Sequence, residues 1–274
     1  MSGAPAIFVT GAASGIGRAI AQEFASRGWF LGLADLNEAG LAETAALLGV
    51  GRSASYRLDV RSREAWDLQL AAFVEAAGGR LNALANNAGV ARGGPFESLS
   101  GSDDDLLIDV NFRGVVNGCR AALPYLKQNP GSVILNTGSA SGLYGSAGLS
   151  VYSATKFAVR GLTEALDIEF EPYGVRVRSI MPGFIDTPLL TIGVAGSNRS
   201  ARDSVVDAGL EFTPVETVAR LAWEATQGDK VHTLIGKTAE KLAFWARWAP
   251  GSVRKQMKKQ IFAAHARAQD RGGG

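Results

Sequence analysis

The sequence predicts an α/β fold in which a doubly wound parallel sheet is covered by helices on both faces. Two observations carry this. Short apolar runs alternate with helically periodic segments from Ala6 to Ile235, and strands alternating with helices form parallel sheets through right-handed crossovers. A glycine-rich turn holding Gly11, Gly15 and Gly17 separates the first run from the first periodic segment. Glycines there let a backbone turn tightly and approach a pyrophosphate at a helix N-terminus. At 274 residues the chain can bury a sizeable core, and its length permits one domain or two.

Taken in order, residues 6–9 read as a buried strand and 16–27 as a helix. Residues 29–34 form a second strand closed by Asp35, and Asn37 caps a helix reaching residue 48. A third strand over 54–58 ends in Asp59, and Ser62 opens a helix to residue 77. Residues 83–85 lead as a strand into Asn86-Asn87-Ala88-Gly89. One long helix is expected over 104–127, then a strand over 132–136. The next helix holds Tyr152 and continues through Phe157, Leu162, Leu166 and Phe170. A strand over 175–181 is stopped by Pro182-Gly183. Residues 189–211 hold Gly193, Gly196, Ser197, Asn198 and Gly209, a composition expected of a mobile loop or short helices over a site. A helix over 214–227 and a short strand over 233–235 follow.

Composition narrows the function. Hydrophobic content of 46% and charged content of 20% are those of a soluble globular chain. The single cysteine, Cys119, excludes an intramolecular disulfide framework and fits a reducing compartment. His232 and His265 lie far apart without ligand spacing, so no metal site is expected. The start of the sequence lacks the pattern of a signal peptide and no stretch is apolar enough for a membrane span, so a cytoplasmic setting is expected. Net charge is +2, but Lys and Arg outnumber Asp and Glu nine to two between residues 237 and 271. The basic character belongs to that tail, so nucleic-acid binding by the whole chain is not implied.

Several polar residues stand where chemistry would need them. Asp35 ends the second strand 18 residues after Gly17, near the offset at which a carboxylate binds ribose hydroxyls. It would repel a 2′-phosphate, and neither Ser14 nor Leu36 offers a cation, which favours NAD over NADP. Asp59, Asn87 and Asn111 sit at positions that tolerate apolar residues; Asp59 could receive an adenine amino group. Asn111 lies inside a predicted helix, where asparagine is mildly unfavourable. Ser139 follows a strand end, where a hydroxyl can hydrogen-bond a substrate oxygen; Ser141 competes for that role. Tyr152 and Lys156, four apart on a helix, face the same space. The ammonium is expected to lower the phenol pKa and suit it to proton exchange with an alcohol or ketone oxygen.

Together these residues resemble the short-chain dehydrogenases/reductases. The likeness spans residues 5–236: the glycine turn from Thr10 to Gly17, Asp59, the Asn86 to Gly89 stretch, Asn111, Ser139, the Tyr152/Lys156 pair, and Pro182-Gly183 followed by Thr187. The resemblance implies a Rossmann-like three-layer α/β/α fold forming one domain over residues 1–236. It implies Tyr152 as general acid/base, Lys156 lowering its pKa and holding the nicotinamide ribose, Ser139 positioning substrate, and Asn111 holding a water in a proton relay. It implies an NAD site built from Gly11, Ser14, Gly15, Ile16 and Gly17 at the turn. Asp35, Asp59 and Val60 would serve the adenosine end, and Asn87, Ala88 and Gly89 the fourth strand. Tyr152, Lys156, Pro182, Gly183, Ile185 and Thr187 would lie about the nicotinamide. The expected function is NAD(H)-dependent interconversion of a secondary alcohol and a ketone, in a homodimer or homotetramer. The alternatives are an NADPH-dependent carbonyl or ketoacyl reductase, which Asp35 disfavours, and a non-catalytic NAD-binding regulator, which the intact Ser139, Tyr152 and Lys156 disfavour.

Residues 237–274 depart from that pattern as a basic, amphipathic extension. Phe244, Trp245 and Trp248 precede Pro250-Gly251; Ser252 is the expected cap of a helix with Val253, Met257 and Ile261 on one face and Phe262 beside them. Arg254, Lys255, Lys258 and Lys259 fall on another face. Packing or oligomer contact, association with an anionic membrane surface, and a lid over the substrate are the three readings of this segment.

Overall fold

A computed structural model describes residues 3–191, 200–207, 209–259 and 262. Seven parallel strands form one sheet among them: β1 (Ala6–Thr10), β2 (Phe30–Asp35), β3 (Ser53–Arg57), β4 (Ala83–Asn86), β5 (Val133–Thr137), β6 (Arg176–Pro182) and β7 (His232–Ile235). Their order is β3-β2-β1-β4-β5-β6-β7. The chain winds outward from β1 to β3, then returns to lay β4 on β1's other side, with Ile7 opposite Ala83. That reversal opens a crevice at the C-terminal ends of β1 and β4. Strands covered on both faces read as continuous apolar runs, and β1 is buried along its whole length.

Helices α1 (Gly15–Ser26), α2 (Glu38–Leu48), α3 (Arg63–Ala76), α4 (Gly101–Ile108), α5 (Gly114–Leu126), α6 (Ser150–Phe170), α7 (Ala201–Asp207), α8 (Val215–Gln227) and α9 (Lys237–Trp248) complete the layers. One core joins Phe8, Leu84 and Ile134 of the sheet to Trp66 and Phe73 of α3, Val115 of α5 and Val159 of α6. The opposite core joins Ile7, Val9 and Leu31 to Ile20 and Phe24 of α1 and Val218 of α8. There Phe24, Trp29 and Trp223 meet edge to face and staple α1 to α8. Both expected caps form: the Asn37 side chain accepts from Gly40 N–H at 3.0 Å and Ser62 Oγ from Ala65 N–H at 3.1 Å.

The expected single helix over 104–127 is instead three pieces. Ser100 and Asp103 form a capping box that starts α4 at Gly101. A π-helical turn, Asp109–Arg113, then interrupts the ladder before α5. In the stretch 189–211, a 3₁₀ turn (Pro188–Thr191) and α7 appear, matching the expectation of short helices. Ile192, Gly193, Val194, Gly196, Ser197 and Asn198 lie outside the described residues. In the tail, α9 buries Ala239 beside β7 and the 3₁₀ turn Ala140–Gly142. The following helix starts at Pro250, earlier than expected, because the N–H groups of Ser252 and Val253 donate to Ala249 O. Proline suits a first helical position, where its missing N–H would have no partner. Among the described residues no helix is long and apolar enough to cross a membrane.

Candidate active site

The crevice between β1 and β4 is shaped by the glycine turn. Gly11 and Gly15 adopt φ of +69° and +52°. A Cβ on Gly17 would stand 2.1 Å from Gly11 O, so only glycine lets α1 start this close to the strand end. Ser14 caps α1 without a side-chain hydrogen bond, and no acidic residue stands in the first turn beside Ile16. The positive end of the helix is thus left to an outside anion, and a dinucleotide pyrophosphate fits it.

Asp35 sits at the end of β2. Its carboxylate accepts from Ala13 N–H at 3.2 Å and from Asn37 N–H at 3.0 Å. Two cations lie near, and both are engaged. Arg57 stands opposite Asp35 on β3 but pairs with Glu38 at 3.1 Å. Arg18 pairs with Glu43 at 2.8 Å. At Asp59 the Arg61 guanidinium grips both carboxylate oxygens and holds the carboxyl below its usual range. The neighbouring Val60 carbonyl accepts from Trp66 Nε1 and Asn117 Nδ2, each at 3.1 Å.

The end of β4 is held by Thr10. Its hydroxyl oxygen accepts from the N–H groups of Asn87 and Ala88 at 3.0 Å each, and Asn87 Nδ2 donates to Thr10 O at 3.1 Å. A Cβ on Gly89 would lie 3.2 Å from Asn111 Oδ1 and 3.8 Å from Lys156 Nζ. At the end of β6, Pro182 is buried, and just after it Gly183 N–H donates to Ile235 O at 2.9 Å. Ile185 is buried and bridges to Thr213. Thr187 folds back over the glycine turn, 3.3 Å from where a Cβ on Gly15 would sit.

Lys156 and Tyr152 extend from α6 into this crevice. Lys156 is 4% exposed, and its Nζ donates to Thr137 O at 2.9 Å. The ammonium lies 5.6 Å from the Tyr152 ring centre. Ser139, in extended backbone just past β5, stands near enough to the Tyr152 phenol for its hydroxyl to lower the phenol pKa. Ser141 is set apart from its competitor: it contributes its main-chain N–H to Ser139 Oγ at 3.1 Å. Asn111 is fully buried in the π-helical turn, where Oδ1 accepts from Val90 N–H and Nδ2 donates to Val90 O, both at 2.8 Å. The turn places this side chain against the β4 loop, a common use of π-bulges at functional sites. Ser139, Tyr152, Lys156 and Asn111 therefore meet at one place.

The electrostatics correct one expectation. Burial raises the Tyr152 pKa, and the nearby Ser139 hydroxyl offsets this only in part. Burial also pulls Lys156 down, from 10.5 to about 8. In the protein alone, desolvation pushes both groups toward their neutral forms and outweighs the effect expected of a neighbouring ammonium.

Sequence reading missed two supports. One is Thr10 as the post for the β4 loop. The other is a buried chain in which Asn86 Nδ2 donates to Asn136 Oδ1 at 3.0 Å and Asn136 Nδ2 donates to Thr163 Oγ1 at 3.0 Å. It ties β4 and β5 to α6 beneath Tyr152 and Lys156. The signal was there: asparagine at the ends of two adjacent apolar strands, where an unpaired amide would be costly.

Comparison with known proteins agrees with this geometry. The chain matches the short chain dehydrogenase family over residues 5–193. It is 39% identical over 210 residues to 2,5-dichloro-2,5-cyclohexadiene-1,4-diol dehydrogenase LinX of Sphingobium indicum, covering 76% of this chain and 83% of that one. A short chain dehydrogenase/reductase from Burkholderia phymatum, solved with NAD, superposes with a TM-score of 0.80 at 29% identity, covering 93% and 95% of the two chains. A short chain dehydrogenase from Burkholderia cenocepacia, solved with NADP, shares the fold at a TM-score of 0.78 and 22% identity, over 93% and 98%.

Proposed function

The chain belongs to the short-chain dehydrogenase/reductase family of oxidoreductases, and from that premise we propose that it interconverts a secondary alcohol and a ketone with NAD(H). The observation that carries the reading is the buried Tyr152 phenol beside Ser139, with Lys156 Nζ 5.6 Å from its ring. When bound, NAD supplies the hydride acceptor for oxidation and NADH the donor for reduction. The glycine turn would receive its pyrophosphate, Asp35 its adenosine ribose, Tyr152 and Lys156 its nicotinamide ribose, and Thr187 with the main chain at Ile185 its carboxamide.

The remaining chemistry belongs to the chain. Ser139 orients the substrate oxygen, and Tyr152 takes the alcohol proton in oxidation or returns it in reduction. Lys156, charged below about pH 8, stabilises the phenolate as it forms. A relay to solvent passes from Lys156 through water at the π-helical turn. Asn111, whose side chain bonds Val90 through both Oδ1 and Nδ2, would hold that water at the turn. NAD is favoured over NADP because Asp35 is anionic while Arg18 and Arg57 already have carboxylate partners. Half-buried Leu189, Leu190 and Phe212 favour an apolar substrate. Phe157 and Ile168, both exposed on one side of α6, favour assembly into a homodimer or homotetramer.

The test is steady-state turnover of a panel of secondary alcohols with NAD and NADP, and of the matching ketones with the reduced cofactors. NAD is expected to exceed NADP in kcat/KM by about tenfold or more, the scale of one desolvated charge contact. Preference for NADP would overturn the cofactor reading. Absence of turnover with every alcohol and ketone would overturn the reaction.

A further inference from the structure

None of the residues assigned to this chemistry lies in the C-terminal segment, yet its side chains are arranged. Helix α9 is fixed on its inner side by Ala239, which is fully buried. At about 100° per residue, Lys237, Lys241, Phe244, Trp245 and Trp248 fall within one arc of about 100° on the side away from Ala239. The three aromatics are 56%, 50% and 69% exposed. Phe244 and Trp245 touch edge to face at 5.4 Å, and the Arg247 guanidinium lies 5.3 Å from the Trp248 ring centre. The helical segment that follows turns Val253 and Met257 inward and leaves Arg254, Lys255, Lys258 and Lys259 exposed. Phe262 is 71% exposed.

Such a surface is costly to leave in water, and its chemistry specifies what covers it. Tryptophan and phenylalanine rings interleaved with lysines suit the boundary between lipid headgroups and acyl chains. Lys237 is paired with Glu211 at 3.2 Å, whereas Lys241 and the basic residues of the following helix are exposed to meet lipid phosphates, and each of these is worth roughly a fivefold gain in partition near an anionic surface. A two-fold contact with a second copy would set this strongly basic segment against itself. We propose that the outer face of α9, with the basic helix after it, docks on the surface of an anionic lipid bilayer. The docked helix lies beside the 3₁₀ turn that follows Ser139, so the crevice would open close to the lipid. The inference is independent of the cofactor and substrate readings.

The experiment is sedimentation of the full chain with vesicles of phosphatidylcholine plus phosphatidylglycerol, against vesicles of phosphatidylcholine alone. The wild type should partition to the anionic vesicles, weakly to the neutral ones, and less as salt rises. Lys241→Glu should lower partition by roughly fivefold or more. The triple variant Phe244→Ala, Trp245→Ala, Trp248→Ala should abolish it while circular dichroism stays unchanged. Should that variant unfold, Lys241→Glu, a single surface change, decides the matter. Absence of wild-type binding to anionic vesicles, or full binding by Lys241→Glu, overturns the proposal. So does loss of a dimer in the well-folded triple variant, which would assign the face to a second copy.

Discussion

Lys156→Met keeps the unbranched stem of a buried side chain, one atom shorter, and removes its charge. In the wild type, burial lowers this ammonium from 10.5 to about 8. Between those values the unfolded chain holds a proton that the folded chain has lost, so wild-type stability rises with pH across that window. Below about pH 8 the full penalty applies, about 3 kcal/mol. The variant escapes it but leaves Thr137 O without the donor now at 2.9 Å. A hydrogen bond to a charged group is worth about 1.5–3 kcal/mol. Near neutral pH the variant should therefore be at least as stable as the wild type, although turnover should be lost. The more discriminating quantity is the difference between the two proteins, because other titrations cancel in it. From about pH 7.5 to about pH 9.5 the wild type should gain about 2 kcal/mol on the variant. Urea unfolding at both pH values measures this. A gap that stays constant across that range would refute a buried ammonium at Lys156, and with it the electrostatic part of the mechanism.

Other predictions rest on separate contacts. Asp35→Ala removes the anion at the end of β2, and it should lower kcat/KM with NAD by about tenfold and narrow the gap to NADP; unchanged preference would show that Asp35 does not select the cofactor. Gly17→Ala would place a Cβ 2.1 Å from Gly11 O, so NAD should no longer raise the melting temperature of the folded variant. Cys119 is buried and its thiol is pushed up to about 12. It should resist a thiol reagent in the native protein and react as one equivalent in denaturant; rapid native labelling would contradict its place in the core.

The layers were legible because the chain is locally consistent. Continuous apolar runs at β1, β4 and β5, and the caps Asn37 and Ser62, each state their own structure. Helix α6 was legible for the same reason, since a four-residue spacing puts Tyr152 and Lys156 on one side of it. The π-helical turn at Asn111 was not, because periodicity cannot register one extra residue whose reward is a contact with Val90, distant in sequence. Only asparagine's poor fit to a helix interior hinted at it. Asp59 could be placed at the edge of β3, but its capture by Arg61 depends on a side-chain direction that spacing does not encode. The pKa of Tyr152 was misjudged because a pairwise view of Tyr152 and Lys156 omits the burial that both share. The tail's amphipathic division could be read from its sequence, whereas the start of its last helix depended on Pro250 following Ala249.

The central claim is that the Tyr152 phenol moves the proton that accompanies hydride transfer. Tyr152→Phe removes one oxygen and leaves the ring, α6 and the glycine turn in place. The decisive measurement is turnover of this variant beside its NAD affinity, taken from the cofactor-induced rise in melting temperature. Turnover should fall by about a thousandfold or more, with NAD affinity held within a few-fold. Near-normal turnover in a folded, NAD-binding variant would contradict it.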